Sequence, residues 1–372
     1  MIYLIVGIAA SVAMLWYRAP LVDSALASAR LPDRLLRWRP ERDAARAGSA
    51  LACGVSFAVL FGVAACRRGV GTDYWPRYVP FFVQVAHGWP VATDTGYVAL
   101  NAVVAAFTGD YQWIFVVTSA LTIGLVYRAI ARWSVAPALS VFIFVVGGFY
   151  LESFNAVRQW LAIAILLNSM GAIVNRKPVR FLVLTAVAAS FHASALIWLL
   201  AWPLARLRLG AVARLALVGL TAAAMIAGQA HVQSAISHWA PAYAWYLESD
   251  YGQVRAFDPY GTALAAGVLL VSTITLCDGE RESRYVRSLL NLQGMQMIVI
   301  ILASTMEYLF SRVTYYFTPV QILAVPSMLA AIRTPGIRRI ATGLVLVGYA
   351  AAYYFKFMVW NSHGVLPYRS VF

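Results

Sequence analysis

The stretch ESFNAVRQ, residues 152–159, interrupts two long apolar runs with a cluster of polar side chains. On a continuous α-helix, Glu152, Asn155 and Arg158 recur every three residues and therefore share one face. Gln159 follows Asn155 by four residues and extends the same face. This face is too polar for lipid, so the pattern predicts that it points into protein or a water-filled cavity.

The depth of Arg158 in a membrane follows from its distance to the next charged residue. At 1.5 Å per residue, Arg158 lies about 27 Å from Arg176, and the hydrocarbon region of a bilayer is about 30 Å thick. If Arg176 marks the cytoplasmic border, Arg158 lies just inside the opposite one. Two structural alternatives are a side chain that reaches the headgroups and an ion pair with Glu152 that packs helices together.

The composition indicates a membrane protein. Of 372 residues, 62% are hydrophobic and only 12% are charged, a balance that no soluble domain of this size has. The apolar runs are continuous rather than alternating, which excludes a β-barrel. We therefore predict an all-α polytopic integral membrane protein. It forms a single transmembrane domain over residues 1–372, with about ten transmembrane helices plus re-entrant or interfacial helices.

The formal net charge of +14 would suggest a nucleic-acid partner in a soluble chain. Here the arginines cluster in short connections between apolar runs, which is the positive-inside pattern of membrane proteins, so no nucleic-acid partner is predicted. Residues 18–46 are assigned to the cytoplasm on this basis. The same rule assigns three segments to the outer face, namely 67–110, 229–258 and 361–372.

The first outer segment holds a carboxylate beside a glycine-rich turn, Gly71-Thr72-Asp73. Pro76 is suited to start a short helix, on which Asp73 and Arg77, or Tyr74 and Tyr78, would be four residues apart. An aromatic belt at the membrane interface explains the tyrosines equally well. It does not explain the position of Asp73.

The second outer segment holds Trp239 and Tyr243 at helical spacing. Aromatic faces stack on the apolar faces of sugar rings, so these residues are candidate sugar contacts. An interfacial helix is the more typical explanation of such a pattern.

Two apolar segments do not fit as full spans under the charge rule. Residues 97–107 are too short and predict a re-entrant or interfacial helix. Residues 181–203 would place Arg206 and Arg208 outside if they crossed once. A hairpin with His192 near its tip keeps these arginines inside, and we favour it over the single span.

A second arginine lies at the height of Arg158. Arg312 is about 31 Å from Arg333, at the far end of the following helix. Two arginines at one level on inner helix faces would form a clamp for an anion. No Asp-x-Asp motif and no cluster of His, Cys and carboxylates indicates a metal site, and no cofactor is predicted.

Several short motifs together resemble the EpsG family of bacterial exopolysaccharide proteins, which is related to Wzy-type polymerases. In chain order they are Gly71-Thr72-Asp73-Tyr74, Gly96-Tyr97-x-x-Leu100-Asn101, Arg158-Gln159-x-Leu161-Ala162, Phe191-His192-x-Ser194-Ala195-Leu196, Arg312 with Tyr315-Tyr316-Phe317, and Leu366-Pro367-Tyr368-Arg369. The family pattern often has an acidic residue immediately before the glycine that corresponds to Gly96. Here Thr95 occupies that position and Asp94 lies one step earlier, so no acidic role is assigned there.

The resemblance implies a membrane glycosyltransferase with a GT-C-like architecture, located in the bacterial cytoplasmic membrane. Such an enzyme joins oligosaccharide repeats carried on undecaprenyl pyrophosphate at the outer face, in contact with membrane lipid and with other exopolysaccharide assembly proteins. Alternatives are a lipid-linked sugar glycosyltransferase or ligase, and a flippase or transporter for lipid-linked oligosaccharide. Transport ranks lower because the polar residues crowd the outer third of the membrane rather than its midplane.

This chemistry assigns roles to the candidate residues. Fixed cations must meet the charge that develops on the pyrophosphate, and a base must receive the proton of the acceptor hydroxyl. The candidates for pyrophosphate binding are Arg158, Arg312, Arg77 and Gln159. The candidate bases are Asp73, Glu152 and His192, of which Asp73 is favoured because its loop is already outside. The candidate sugar contacts are Tyr74, Trp239, Tyr243, Tyr315 and Tyr316.

Overall fold

The computed structural model describes residues 2–17, 44–228, 231, 234, 238, 259–277, 283–305 and 307–372. Within these ranges the regular secondary structure is helical, apart from a single antiparallel bridge between Arg67 and Ser370. The α-helices are α1 (Ile2–Ala13), α2 (Ala44–Ala65), α3 (Val79–Ala86), α4 (Thr95–Ala105), α5 (Gln112–Trp133), α6 (Pro137–Val146), α7 (Phe149–Asn155), α8 (Val157–Leu167), α9 (Met170–Val174), α10 (Pro178–Phe191), α11 (Ala201–Leu204), α12 (Ala211–Ala227), α13 (Pro259–Leu276), α14 (Arg284–Thr305), α15 (Glu307–Phe317), α16 (Gln321–Ala331) and α17 (Pro335–Tyr353).

The number of clear membrane spans is smaller than the predicted ten. Six described helices are long and apolar enough to cross a membrane, or seven if the bent pair α6 and α7 counts as one span. Several of the other predicted spans fall on shorter apolar helices. The predicted span from Arg312 to Arg333 is divided at Thr318–Val320, where Pro319 cannot donate a backbone hydrogen bond.

The span formed by α8 and α9, Val157–Val174, lies at the centre of the bundle. Of its residues, 83% are buried, because α5 and α10 both pack against α8. By contrast, only 17% of the residues in an 18-residue stretch of the span Pro335–Val359 are buried, so this span lies at the periphery. Arg158 is therefore carried by the most enclosed membrane-spanning segment among those described, which agrees with its predicted interior position.

Residues 178–204 form a hairpin rather than one span. The chain reverses at His192, which has extended backbone angles between α10 and the 3-10 helix Ala193–Leu200. The rings of Phe181 and Trp202, near the two open ends, pack with centroids 5.0 Å apart. The hairpin prediction is thus confirmed, with His192 at the tip.

The segment from Asp94 to Gln112, which contains α4, begins and ends on the same side of the bundle. Asp94, directly before α4, contacts Arg158, while Gln112, which follows α4 at the start of α5, donates to the Arg67 carbonyl at 3.1 Å. The chain between these contacts therefore does not cross, as predicted for residues 97–107. We call this side, marked by Arg158 and Arg67, the Arg158 end of the bundle.

The segment 361–372, here called the tail, folds back onto the Arg158 end. Backbone hydrogen bonds join Arg68 N–H to the Arg369 carbonyl and Val371 N–H to the Cys66 carbonyl, both at 2.9 Å. The Tyr3 hydroxyl donates to the Val365 carbonyl at 2.9 Å. The tail is thus fixed to α1 and to the 66–72 loop. Of the segment 229–258, which includes Trp239 and Tyr243, all but residues 231, 234 and 238 lie outside the described residues.

A glycine allows α4 and α10 to approach closely, and this contact is testable. A Cβ on Gly96 would lie 2.8 Å from the Ser190 backbone carbonyl oxygen. We expect Gly96→Ala to force the helices apart and to lower the free energy of unfolding by about 1–3 kcal/mol. Thermal unfolding of the purified protein in detergent measures this loss. Gly124→Ala is the matched control, since its nearest neighbour is Phe57 at 3.8 Å, and an equal effect of both changes would contradict the prediction.

Candidate active site

The stretch 152–159 is not one continuous helix, which corrects the predicted shared face. Helix α7 ends at Asn155, Ala156 has φ −94° and ψ 54°, and α8 begins at Val157. The break has a physical cause in tertiary hydrogen bonds. The Asn155 carbonyl accepts from the Tyr78 hydroxyl at 2.9 Å, and its side-chain oxygen accepts from the Asp73 N–H at 2.8 Å.

Arg158 points into protein and pairs with an acidic residue from another segment. Its Nη1 lies 2.5 Å from Asp94 Oδ2 and also donates to the Thr93 hydroxyl. The guanidinium carbon lies over the Phe81 ring at 5.6 Å and the Tyr97 ring at 6.0 Å. With 16% of the side chain exposed, Arg158 neither reaches outward for headgroups nor pairs with Glu152. Its Nε is buried without an acceptor in the described structure.

Asp94 joins Arg158 to the tip of the hairpin. Its Oδ1 accepts the Ala193 N–H at 3.0 Å, and its Oδ2 lies 3.5 Å from His192 Nδ1, an ion-pair distance longer than a good hydrogen bond. Burial raises the pKa of Asp94, but His192, the Ala193 N–H and the charge of Arg158 together outweigh it, so the net pKa is lowered. Asp94 is therefore an anion held between two candidate site residues. Sequence reasoning gave it no role.

Gln159 connects the Arg158 segment to the Arg312 segment. Its Nε2 donates to the Arg312 backbone carbonyl at 2.6 Å, and its side chain is buried. The helix that carries Arg312 also contacts the hairpin, because the Tyr316 hydroxyl lies 2.9 Å from Ser194 Oγ. The two predicted arginines thus lie on adjoining elements. Gln159 itself is committed to protein contacts at its amide nitrogen.

Residues 71–77, here called the Asp73 loop, lie against the break in the 152–159 stretch. Thr72 Oγ1 donates to the Asn155 side-chain oxygen at 3.0 Å. Asp73 Oδ1 lies 3.5 Å from Arg77 Nε, so the two residues that are four apart form an ion pair. Pro76 lies inside the π-helical turn Tyr74–Tyr78 and does not start a helix, which corrects the expected local structure.

Glu152 belongs to a separate ion pair. Its Oε1 accepts from Lys356 Nζ at 2.5 Å, and only 4% of the glutamate side chain is exposed. Lys356 could not be recognised from the sequence, because nothing in the local pattern links positions 204 residues apart. A buried, paired carboxylate is poorly placed to receive a proton from a substrate.

The candidate sugar contacts differ in accessibility. Tyr74 is fully buried and stacks on Phe115 with centroids 4.1 Å apart, and Tyr316 is also buried. Tyr315 is half-buried. Trp239 and Tyr243 lie outside the described residues.

His363, in the tail, is a site residue that sequence reasoning missed. Its Nδ1 lies 3.4 Å from Asn155 Nδ2, and its Nε2 lies 3.2 Å from the Tyr315 hydroxyl. Burial, and then the positive charges of Lys356 and Arg312, lower the pKa of His363 from 6.5 to about 3. The imidazole is therefore neutral at physiological pH.

Comparison with known proteins decides the family. A sequence model of the EpsG family matches residues 50–370. The chain belongs to the EpsG family. Searches for similar curated proteins and for similar solved structures found no match.

Membership of the EpsG family confirms the resemblance and extends it. The match includes residues 203–306, where the short motifs gave no signal. Together with the apolar helices, it makes the chain a multi-pass membrane protein and indicates a membrane polysaccharide polymerase. Among the described residues, no three His, Cys, Asp or Glu side chains converge as they would around a metal ion.

The Glu152 ion pair gives a stability prediction. Lys356→Met leaves the Glu152 carboxylate buried without its cation, and we expect a loss of about 3–5 kcal/mol in the free energy of unfolding. The double variant Glu152→Gln/Lys356→Met removes both charges and should recover most of this loss. Thermal unfolding of the three proteins checks this, and a double variant no better than Lys356→Met would contradict it.

The partly buried imidazole of His363 gives a pH prediction. The unfolded chain binds a proton at this histidine below about pH 6.5, whereas the folded chain does so only near pH 3. The free energy of unfolding therefore falls as the pH falls through this window, by up to about 1.4 kcal/mol per pH unit. His363→Gln has no such group and should lose less thermal stability between about pH 6.5 and 5. His87→Gln, an exposed position, is the control, and identical slopes for wild type and His363→Gln would disprove the prediction.

Proposed function

We propose that this EpsG-family protein is a polysaccharide polymerase that joins undecaprenyl-pyrophosphate-linked oligosaccharide repeats at the outer face of the bacterial cytoplasmic membrane. The observation that carries the proposal is the junction of Arg158, Asp94 and His192 beside the segment of Arg312. A fixed cation, a histidine and a carboxylate meet there just inside one end of the bundle. These are the groups that glycosyl transfer from a lipid pyrophosphate requires.

The proposed reaction transfers the growing chain to a new repeat unit. The acceptor hydroxyl attacks the anomeric carbon of the donor, the bond between that carbon and the pyrophosphate oxygen breaks, and undecaprenyl pyrophosphate leaves with the electron pair. Arg158 and Arg312 would meet the charge on the departing oxygens, since the planar guanidinium suits phosphate. Arg77, more exposed on the Asp73 loop, would contact the outer part of the substrate. We propose no metal step, since the arginines supply the positive charge.

Of the candidate bases, the geometry favours His192. Its Nδ1 faces Asp94, and a hydrogen on Nδ1 leaves the Nε2 lone pair to receive the proton of the acceptor hydroxyl. Asp73 remains an alternative, although it pairs with Arg77. Glu152 is the least suited base, because its carboxylate is already paired with Lys356. The sugar rings would lie near Tyr315 and the exposed aromatic side chains of the Arg158 end.

The charge distribution supports the proposed orientation. The end of the bundle opposite Arg158 carries basic residues in its described connections and no Asp or Glu, with Arg132, Arg176, Arg206, Arg284, Arg333 and Arg338 among them. The positive-inside rule assigns that end to the cytoplasm. We further propose ten crossings in a GT-C-like arrangement, with the shorter apolar helices completing the six or seven clear spans, and contacts with other exopolysaccharide assembly proteins.

The test is elongation by the purified protein. Lipid-linked repeat unit is incubated without nucleotide sugar, and the products are resolved as a ladder. We expect Arg158→Ala or Arg312→Ala to reduce the rate about 100- to 1,000-fold, as loss of a fixed charge partner of the transition state does elsewhere. Chelation with EDTA should leave the ladder unchanged.

The matched control is Arg338→Ala, which removes an exposed arginine at the opposite end. It should retain the wild-type rate. A full ladder of products from both Arg158→Ala and Arg312→Ala would refute the proposed role of the two arginines in pyrophosphate binding. If the protein moves lipid-linked repeat units across the membrane of vesicles but forms no elongated products, it is a flippase instead.

A further inference from the structure

His363 contacts three segments that carry candidate site residues, namely those of Asp73, Arg158 and Arg312. Its backbone carbonyl accepts the Thr72 N–H at 2.9 Å, next to Asp73. Its ring nitrogens lie within 3.4 Å of the Asn155 amide and 3.2 Å of the Tyr315 hydroxyl. Asn155 is three residues from Arg158, and Tyr315 is three residues from Arg312. The histidine therefore stands where the loop, the helix break and α15 meet.

The hydrogen-bond pattern assigns the tautomer of His363. The Asn155 side-chain oxygen already accepts from Thr72 Oγ1 and the Asp73 N–H. The Asn155 amide nitrogen is thus the atom that donates to His363 Nδ1. The ring proton then lies on Nε2 and is donated to the Tyr315 oxygen. The contact at Nδ1 requires a neutral imidazole, because a protonated ring has no nitrogen that can accept.

The backbone at this position does not call for a histidine. His363 has φ +66°, in the left-handed region that glycine enters without strain and that other residues seldom occupy. A residue held in a disfavoured conformation invites a functional explanation for its side chain. Gly364, the next residue, has φ +59° and supplies the conformational freedom that the turn needs.

Other contacts hold the tail without the imidazole. The Arg68–Arg369 and Val371–Cys66 backbone bonds fix its far half, and the Tyr368 hydroxyl donates to the Val63 carbonyl at 3.1 Å. Removal of the ring should therefore leave the tail in place. A change in activity on substitution of His363 can then be attributed to the lost ring contacts rather than to displacement of the tail.

We propose that His363 is a positioning residue, which fixes Asn155 and the Asp73 loop relative to Tyr315 and so aligns the two arginine-bearing segments. This rests on the polymerase function proposed above. Without the imidazole, the Asn155 amide loses its acceptor and the loop it holds can shift. Small displacements of this kind reduce the catalytic rate more than substrate binding, because the reacting groups are no longer aligned.

The experiment compares two substitutions with opposite consequences. His363→Gly relaxes the backbone and removes the ring, whereas in His363→Gln the side-chain oxygen can accept from Asn155 and the amide can donate to Tyr315. We expect His363→Gly to lower kcat about 10- to 100-fold with KM changed less than about 3-fold, and His363→Gln to stay within about 3-fold of wild type. Ser370→Ala, in the same tail, is the control and should match wild type.

A second measurement isolates the contact with Tyr315. Tyr315→Phe keeps the aromatic ring beside which the sugars would lie and removes only the hydroxyl that accepts the Nε2 proton. Adding Tyr315→Phe to His363→Gly should therefore lower kcat by a smaller factor than adding it to the wild-type protein. Wild-type kinetics for His363→Gly would show that the residue only forms a turn, and would overturn the proposal. Equal losses in the glycine and glutamine variants, with reduced thermal stability in both, would also overturn it.

Failure of the polymerase proposal is distinguishable from failure of this one. If the wild-type protein forms no ladder, hydrogen–deuterium exchange over residues 71–77 becomes the deciding measurement. Faster exchange in His363→Gly than in His363→Gln then supports the positioning role. Equal exchange in both variants refutes it.

Discussion

The ion pair between Asp94 and Arg158 is the interaction on which the arrangement of the Arg158 end depends. Two opposite charges lie largely out of water at 2.5 Å, and neither is stable there without the other. Asp94 also holds the tip of the hairpin through the Ala193 N–H. One carboxylate thus joins the central span, the loop before α4 and the α10 hairpin. The close approach of α4 to α10 at Gly96 gives it the required position.

Much of the fold could be predicted from the sequence because lipid imposes simple rules. The charge rule led to the hairpin at His192 and to the non-crossing segment before Gln112, and the structure has both. The count of ten spans relied on apolar length, and the described helices confirm six or seven of them, since runs such as the one divided at Pro319 form shorter helices. Helix breaks at Gly148 and Ala156 were also missed, since left-handed glycine geometry and tertiary hydrogen bonds to Asn155 are invisible to local periodicity.

The site was only partly predictable. Arg158 and Arg312 were found because charges inside apolar runs are rare, and each was placed by its distance to the next charge. Asp94 lies in a polar loop, where a carboxylate is ordinary, and only its partners distinguish it. Lys356 and His363 contact residues more than 200 positions away. No spacing rule joins such positions, so their roles emerge only from the packed structure.

The long separations at the tail bear on how the protein is made. Tyr3 and Val365 meet although 362 positions separate them, and Tyr368 reaches back 305 positions to Val63. During synthesis the earlier helices enter the bilayer long before these partners leave the ribosome, and loop closure over such lengths comes late in folding. A nascent chain without residues 361–372 therefore has its earlier helices in the bilayer but lacks every contact that the tail makes at the Arg158 end. The Arg158 end is thus completed only after residues 361–372 have been made.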